Sequence, residues 1–314
     1  METTCCNLCG ADRYRVLHCG HDRFLGRRDQ TFQMVRCQRC GLAYLNPRPT
    51  SAELLHHYPD DYAPYTPPSS GLARAISHVR DTSLLRYYRR LVPTGRDALE
   101  IGCATGQHLA TLRDRGGWRV TGVEFSPRAA ALARRVHSLN VHTGDLLSAH
   151  LPAESVDLVL MKYVLEHVPD PLGELREIRR VLRPGGRAVF WVPNLDSWEY
   201  RTLGNRWPGL DMPRHLYCFA PTTIRVLLRS AGLECTGLRF STAPNDWVRG
   251  AAYWLEDLSD ASEARRWLHP ANPVPMLAAL PLSVAGAALR AAGRMIVEAG
   301  RRDSSCTDPE GECV

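Results

Sequence analysis

A chain of 314 residues with 44% hydrophobic and 23% charged side chains can bury one large core and one smaller one. Its net charge of +6 comes from scattered arginines and not from a basic block, so no nucleic-acid partner is expected. Eleven cysteines, an odd number, argue against a closed disulfide framework, and Met1–Cys5 lacks the basic and apolar stretches of a secretory leader. The expected location is a reducing cytoplasm, with several thiols committed to metal.

Cys6-Asn7-Leu8-Cys9-Gly10 and Cys37-Gln38-Arg39-Cys40-Gly41 are two copies of one device. A CxxC turn points both sulfurs at one centre, and the glycine supplies the open backbone conformation that follows. Cys6, Cys9, Cys37 and Cys40 therefore form a four-thiolate set suited to a tetrahedral structural Zn²⁺ with no open coordination position. Cys5, Cys19 and His18 lie nearby without matching spacing. The alternating run Thr31–Arg36 predicts a strand leading into the second turn. We assign residues 1–62 to this zinc-ribbon module. A Pro-rich linker follows, with a short helix over 84–91.

From Asp97 the pattern alternates between strands and helices, which predicts an α/β domain over 94–245 with a mainly parallel sheet. Strands are expected at 97–101, 119–123, near Val141, at 156–161, 187–192, 233–240 and 294–299. Gly102-Cys103-Ala104-Thr105-Gly106 forms the turn after the first of them. The two glycines let backbone approach a ligand, and open α/β sheets bind ligands at this end of their strands. Glu124 falls about 20 residues further on, where an acid holds ribose hydroxyls, and Asp145 ends the next strand. A dinucleotide would need GxGxxG facing its pyrophosphate, and Gln107-His108-Leu109 leaves that fingerprint incomplete. An adenosyl ligand without phosphate suits the acidic strand ends better, and a sulfonium suits Glu100.

Leu99-Glu100-Ile101-Gly102-Cys103-Ala104-Thr105-Gly106, Gly122-Val123-Glu124-Phe125-Ser126, Gly144-Asp145 and Leu165-Glu166-His167-Val168-Pro169-Asp170-Pro171 resemble the motifs of class I S-adenosylmethionine-dependent methyltransferases. The resemblance covers about 97–240. It implies a Rossmann-like, mainly parallel seven-stranded sheet with helices on both faces, preceded by a small zinc ribbon. It also implies S-adenosyl-L-methionine as cofactor, with Glu100, Gly102 and Gly106 at its methionine part, Glu124 at the ribose and Asp145 at the adenine. Phe125, Leu146 and Lys162 complete the expected cofactor set. Ala104 departs from the family's fuller glycine pattern. The front knuckles and Asp211-Met212-Pro213-Arg214-His215-Leu216-Tyr217-Cys218-Phe219 are similar to a subgroup with an amino-terminal zinc ribbon, whose members often serve glycan, lipid or natural-product pathways.

The expected reaction is methyl transfer to a small-molecule or carrier-linked acceptor, most simply at oxygen. A hydroxyl acceptor benefits from a neutral histidine base, and His215 and His167 are the candidates. Each also has a structural alternative, anchoring its loop or the sheet end. Two other readings compete: an NAD(P)-dependent oxidoreductase, and a non-enzymatic zinc-ribbon interaction protein. Residues 246–300 form an aromatic and apolar insertion together with the last strand. It packs as a helical cap or, on the sharper reading, contacts lipid or a membrane surface through 274–292, a stretch too short to span a bilayer. The tail from Arg301 is polar and expected to be disordered.

Overall fold

In the computed structural model, which describes residues 1–58, 71–258 and 266–302, the chain begins with β1 (Tyr14–Asp22) and β2 (Arg27–Cys37). These pair as an antiparallel hairpin, and β3 (Ala43–Leu45) adds to β2. The fourth strand of this sheet comes from far downstream: β9 (Tyr217–Cys218) pairs with β3, with Tyr44 opposite Tyr217. The ribbon sheet is thus completed by the segment that follows His215. A short helix, α1 (Ser51–Leu54), and a 3-10 turn over Leu55–His57 lead away from it.

The expected short helix at 84–91 is longer than predicted, since α2 spans Gly71–Leu91. The Pro-rich linker at 64–70 and the tail at 303–314 lie outside the described residues. Beyond α2 come β4 (Asp97–Ile101), α3 (Gln107–Gly116), β5 (Arg119–Glu124), α4 (Pro127–His137), β6 (Asn140–Thr143) and β7 (Val156–Lys162). Then follow α5 (Pro171–Val181), β8 (Leu182–Pro193), α6 (Trp198–Leu203), α7 (Pro221–Ser230) and β10 (Leu233–Ser241). α8 (Pro244–Leu258), α9 (Pro273–Ala288) and β11 (Arg294–Arg301) end the described fold. The helices start where their sequences allow it. Ser126 and Asp170 cap α4 and α5 through their side chains, each with proline at the start of the helix.

The main sheet has the order β10-β11-β8-β7-β4-β5-β6. β4 through β8 run parallel, and β11 is antiparallel to both neighbours. This is the seven-stranded, mainly parallel sheet expected. Ile101, Met161, Phe190 and Val192 on one sheet face share a continuous apolar core with Phe32, Met34, Tyr44 and Leu45 of the ribbon. Burying a side chain of that size contributes roughly 1.5–3 kcal/mol, so the ribbon is fused to the sheet by its packing.

The insertion forms a two-helix cap. α9 turns Pro275, Ala279, Ser283 and Gly286 inward at helical spacing, and the Ser283 hydroxyl accepts the Ala243 N–H. Val274, Leu277, Leu282 and Val284 face outward, and no charged residue occurs from Ala271 to Ala288. No helix among the described residues is long and apolar enough to cross a membrane.

Candidate active site

The cysteine knuckles superimpose in their hydrogen bonding. Cys6 N–H donates to Ala11 and Gly10 N–H to Cys6 O; Cys37 N–H donates to Leu42 and Gly41 N–H to Cys37 O. Gly10 and Gly41 have φ of 71° and 78°, the left-handed conformation that the glycine of each motif was expected to supply. The four sulfurs lie within 4.8 Å of one another, with Cys6 to Cys40 at 3.4 Å and Cys9 to Cys37 at 3.5 Å. Cys5 and Cys19 are exposed and stand outside the cluster. A four-thiolate cage of this kind could hold zinc without an open position.

At the carboxyl ends of β6, β5, β4 and β7, taken in sheet order, stand Asp145, Glu124, Glu100 and Lys162. The turn between β4 and α3 carries Gly102 at φ 70° and Gly106 at φ 78°. A Cβ on Gly102 would come 2.3 Å from Val164, and one on Gly106 would come 2.5 Å from Leu139. Both positions therefore require glycine for conformation and for space. Ala104, between them, also adopts a left-handed φ of 48°. That conformation costs a non-glycine residue about 1–2 kcal/mol, against about 0.5–1 kcal/mol for the greater freedom of an unfolded glycine. Ala104→Gly is therefore expected to stabilise the protein by up to about 1 kcal/mol, read as a raised thermal midpoint. A lowered midpoint would show that the alanine side chain contributes packing worth more than the strain.

Glu124 is buried and folds back to accept Ala104 N–H with one oxygen and Ser126 N–H with the other, both at 2.8 Å. Burial raises its carboxyl above the ordinary range despite these bonds. Phe125 beside it is 57% exposed, an apolar ring with no core to enter. Asp145 accepts Ser148 N–H at 2.8 Å, which helps hold it ionised. The Leu146 side chain is committed to the core.

Glu100 is buried at the mouth of the glycine turn. Burial opposes its ionisation, but His108 Nδ1 at 2.9 Å and Lys162 Nζ at 3.7 Å outweigh that and keep it anionic. Its second oxygen has no hydrogen-bond partner among the described residues. A buried acceptor left over beside a glycine turn fits a cationic ligand. Lys162 is half-buried over Trp191, and burial pulls its ammonium down to about 8. His108, on α3, was not singled out from the sequence. Its place two residues past Gly106, in the first turn of α3, was the available signal.

His167 and His215 meet: their rings are 4.7 Å apart, edge to face. His167 lies in a 3-10 turn just past β7, and His215 in the loop before β9. His215 Nδ1 is 2.8 Å from Gly209 O, and His167 Nδ1 is 2.9 Å from Arg214 O and 3.0 Å from the Tyr58 hydroxyl. Burial depresses both imidazoles, His167 to about 3, so both are neutral at neutral pH. Glu166 next to them is fully buried, and burial raises its carboxyl to about 8.

The loop is fixed from the ribbon. Arg214 is fully buried and spends all five N–H donors on Asp22, Asp211 and His57 O, at 2.7–3.1 Å. Asp22 ends β1 and also accepts from His57 Nδ1 at 2.8 Å. Burial works against both carboxylates, but Arg214 holds each below its ordinary range. The backbone continues the link: Leu216 N–H donates to Glu166 O, and Leu45 N–H to Leu216 O.

A glycine turn and a row of acids at adjacent parallel strand ends, in a sheet with one antiparallel strand at its far side, make a Rossmann-like crevice that could hold an adenosyl ligand. A family model described as a methyltransferase domain matches residues 76–238, just over half of the chain. Similar proteins include a ubiquinone biosynthesis O-methyltransferase of Albidiferax ferrireducens, 34% identical over 55% of this chain and 73% of that one. A malonyl-[acyl-carrier protein] O-methyltransferase of Serratia marcescens is 32% identical over 41% of this chain and 50% of its own length. The chain spans 35% to 65% of the length of several other curated relatives that it matches. A solved structure described as a putative sarcosine dimethylglycine methyltransferase from Galdieria sulphuraria aligns with a TM-score of 0.50 at 17% identity, over 73% of this chain and 88% of that one. The chain belongs to the class I S-adenosylmethionine-dependent methyltransferase family.

Proposed function

We propose that the protein transfers a methyl group from S-adenosyl-L-methionine to a hydroxyl of a small-molecule or carrier-linked acceptor. The observation that carries this is the row Asp145, Glu124, Glu100 around a glycine turn in which a Cβ has no room. When bound, S-adenosyl-L-methionine supplies a sulfonium-borne methyl that an acceptor oxygen displaces in line, leaving S-adenosylhomocysteine. Carboxylates at these positions would repel a pyrophosphate, which disfavours the NAD(P)-dependent alternative.

In this reading Glu124 exchanges its two backbone donors for the ribose hydroxyls, Phe125 covers the adenine, and Asp145 accepts from its amino group. Glu100, Gly102 and Gly106 hold the methionine part, with Lys162 fixing Glu100. The acceptor enters beside His167 and His215, whose neutral imidazoles at this end of β7 can receive a hydroxyl proton. Most of the rate comes from holding acceptor and methyl together. The four cysteines hold a structural Zn²⁺ that plays no part in the chemistry. The relatives named for ubiquinone biosynthesis and for malonyl-[acyl-carrier protein] support an acceptor of lipid-like or carrier-linked kind. The outward apolar face of α9 suits the same kind of acceptor or a lipid surface.

Titration calorimetry tests the donor assignment: S-adenosylmethionine is expected to bind and NAD is not, and the reverse would point to the oxidoreductase. Glu124→Ala is expected to weaken donor binding on the order of a hundredfold, since two charge-assisted hydrogen bonds are lost. Unchanged affinity would remove Glu124 from the ribose. For the α9 face, flotation with anionic liposomes is expected to carry the protein upward, and Leu277→Glu with Leu282→Glu to abolish this. A protein left wholly in the aqueous fraction would exclude a lipid-surface role.

A further inference from the structure

Glu166, His167 and His215 each offer a ligand atom to one point, with the three atoms within 4.8 Å of one another. Both Glu166 oxygens are buried, and neither has a hydrogen-bond partner among the described residues. An anion-capable group left wholly unsatisfied in a core costs several kcal/mol unless something completes it. The histidines lie close enough to help complete it. A carbonyl can only accept, so each Nδ1 must carry the proton that Gly209 O or Arg214 O receives, and the lone pair falls on Nε2. An imidazole held by its Nδ1–H to a carbonyl, with Nε2 left to bind, is how proteins prepare a metal ligand.

We propose that Glu166, His167 and His215 form a second metal site, separate from the cysteine cage, that binds a divalent first-row transition cation on the acceptor side. One carboxylate and two imidazoles make a borderline-hard donor set suited to Mn²⁺, Fe²⁺, Co²⁺ or Zn²⁺, in contrast to the four thiolates of the ribbon. The cation is the partner that the Glu166 oxygens otherwise lack. Asp211, whose carboxylate lies 4.0 Å from His215 Nε2, adds negative charge at its edge. Three protein ligands leave coordination positions for an acceptor bearing a hydroxyl next to a second oxygen. Coordination lowers the pKa of that hydroxyl, and its proton is lost to water. With the cation bound the two histidines are ligands, which replaces the base role given them above; the site rests on the O-methylation reading and deepens it.

The test uses the full chain with its cysteine cage saturated by Zn²⁺, titrated with Mn²⁺ and followed by electron paramagnetic resonance of the free ion. One equivalent is expected to bind. Glu166→Gln and His215→Ala are each expected to weaken it by at least the roughly 10–100-fold that loss of a supporting partner causes. Circular dichroism of each variant separates lost ligation from lost folding. No Mn²⁺ uptake by the wild-type chain, or uptake unaffected in a folded Glu166→Gln variant, overturns the site. Donor affinity measured on the same samples keeps the two readings apart. Donor bound without Mn²⁺ uptake defeats the metal site alone, and no donor bound defeats the methyl-transfer reading.

Discussion

Cys37→Ser is expected to abolish acceptor turnover while leaving donor binding nearly intact. A structural zinc contributes about 10–16 kcal/mol to the fold of a small module, as much as or more than the roughly 5–15 kcal/mol net stability of a whole domain. Losing one of four thiolates therefore unfolds the ribbon or leaves it marginal. The damage does not stop there, because the ribbon sheet contains β9, and β9 begins two residues after His215. With β3 gone from its side, Leu216 loses a backbone partner and the loop carrying His215 loses one wall. Glu100, Glu124 and Asp145 sit on β4, β5 and the end of β6, away from the ribbon strands. Limited proteolysis is expected to release the first 50 or so residues of the variant, with calorimetry still reporting donor binding. Full turnover in a zinc-free protein would show that the ribbon is dispensable to the site.

Arg214→Ala is expected to destabilise the protein by about 3–5 kcal/mol, the cost of leaving buried charges without their partner. Here two carboxylates, Asp22 and Asp211, lose the same guanidinium. Arg214→Lys should recover little, because an ammonium has three donors in place of a five-donor fork. Urea denaturation measures the loss, and donor affinity at low urea is expected to stay close to wild type. A loss below about 1 kcal/mol would mean the network is a surface-like pair despite its burial. The arrangement ties the amino-terminal ribbon to the loop at 211–216. The guanidinium joins the tip of β1 to the loop that carries His215, so the cysteine ribbon would brace the acceptor site proposed above.

The residues proposed to hold the donor could be picked out from the sequence because their signals are local. The Gly102–Gly106 turn, the acid at Glu124 and the acid at Asp145 each follow their own strand within a few residues, and strand spacing sets the rest. The cysteine cage was legible for the same reason: two short identical turns declare four ligands. The acceptor half was only partly legible. His167 and His215 stood out as residue types, but their contact joins positions 48 residues apart through the loop fold. Asp22 carried no signal at all, since its partner Arg214 is 192 residues away and the pairing exists only because β9 joins the ribbon. Glu166 lies within a quoted motif, but its unsatisfied oxygens are a property of burial, which no motif encodes. Ala104 shows the reverse case, in which a departure from the family pattern turned out to occupy a left-handed backbone position.

A crystal of the protein soaked with S-adenosylmethionine tests the central claim most directly. The account predicts density in the crevice at the ends of β4, β5 and β6, with both ribose hydroxyls on Glu124 and the adenine against Phe125. Donor bound elsewhere, or Glu124 still holding only Ala104 and Ser126 while the ribose lies apart from it, would contradict the account.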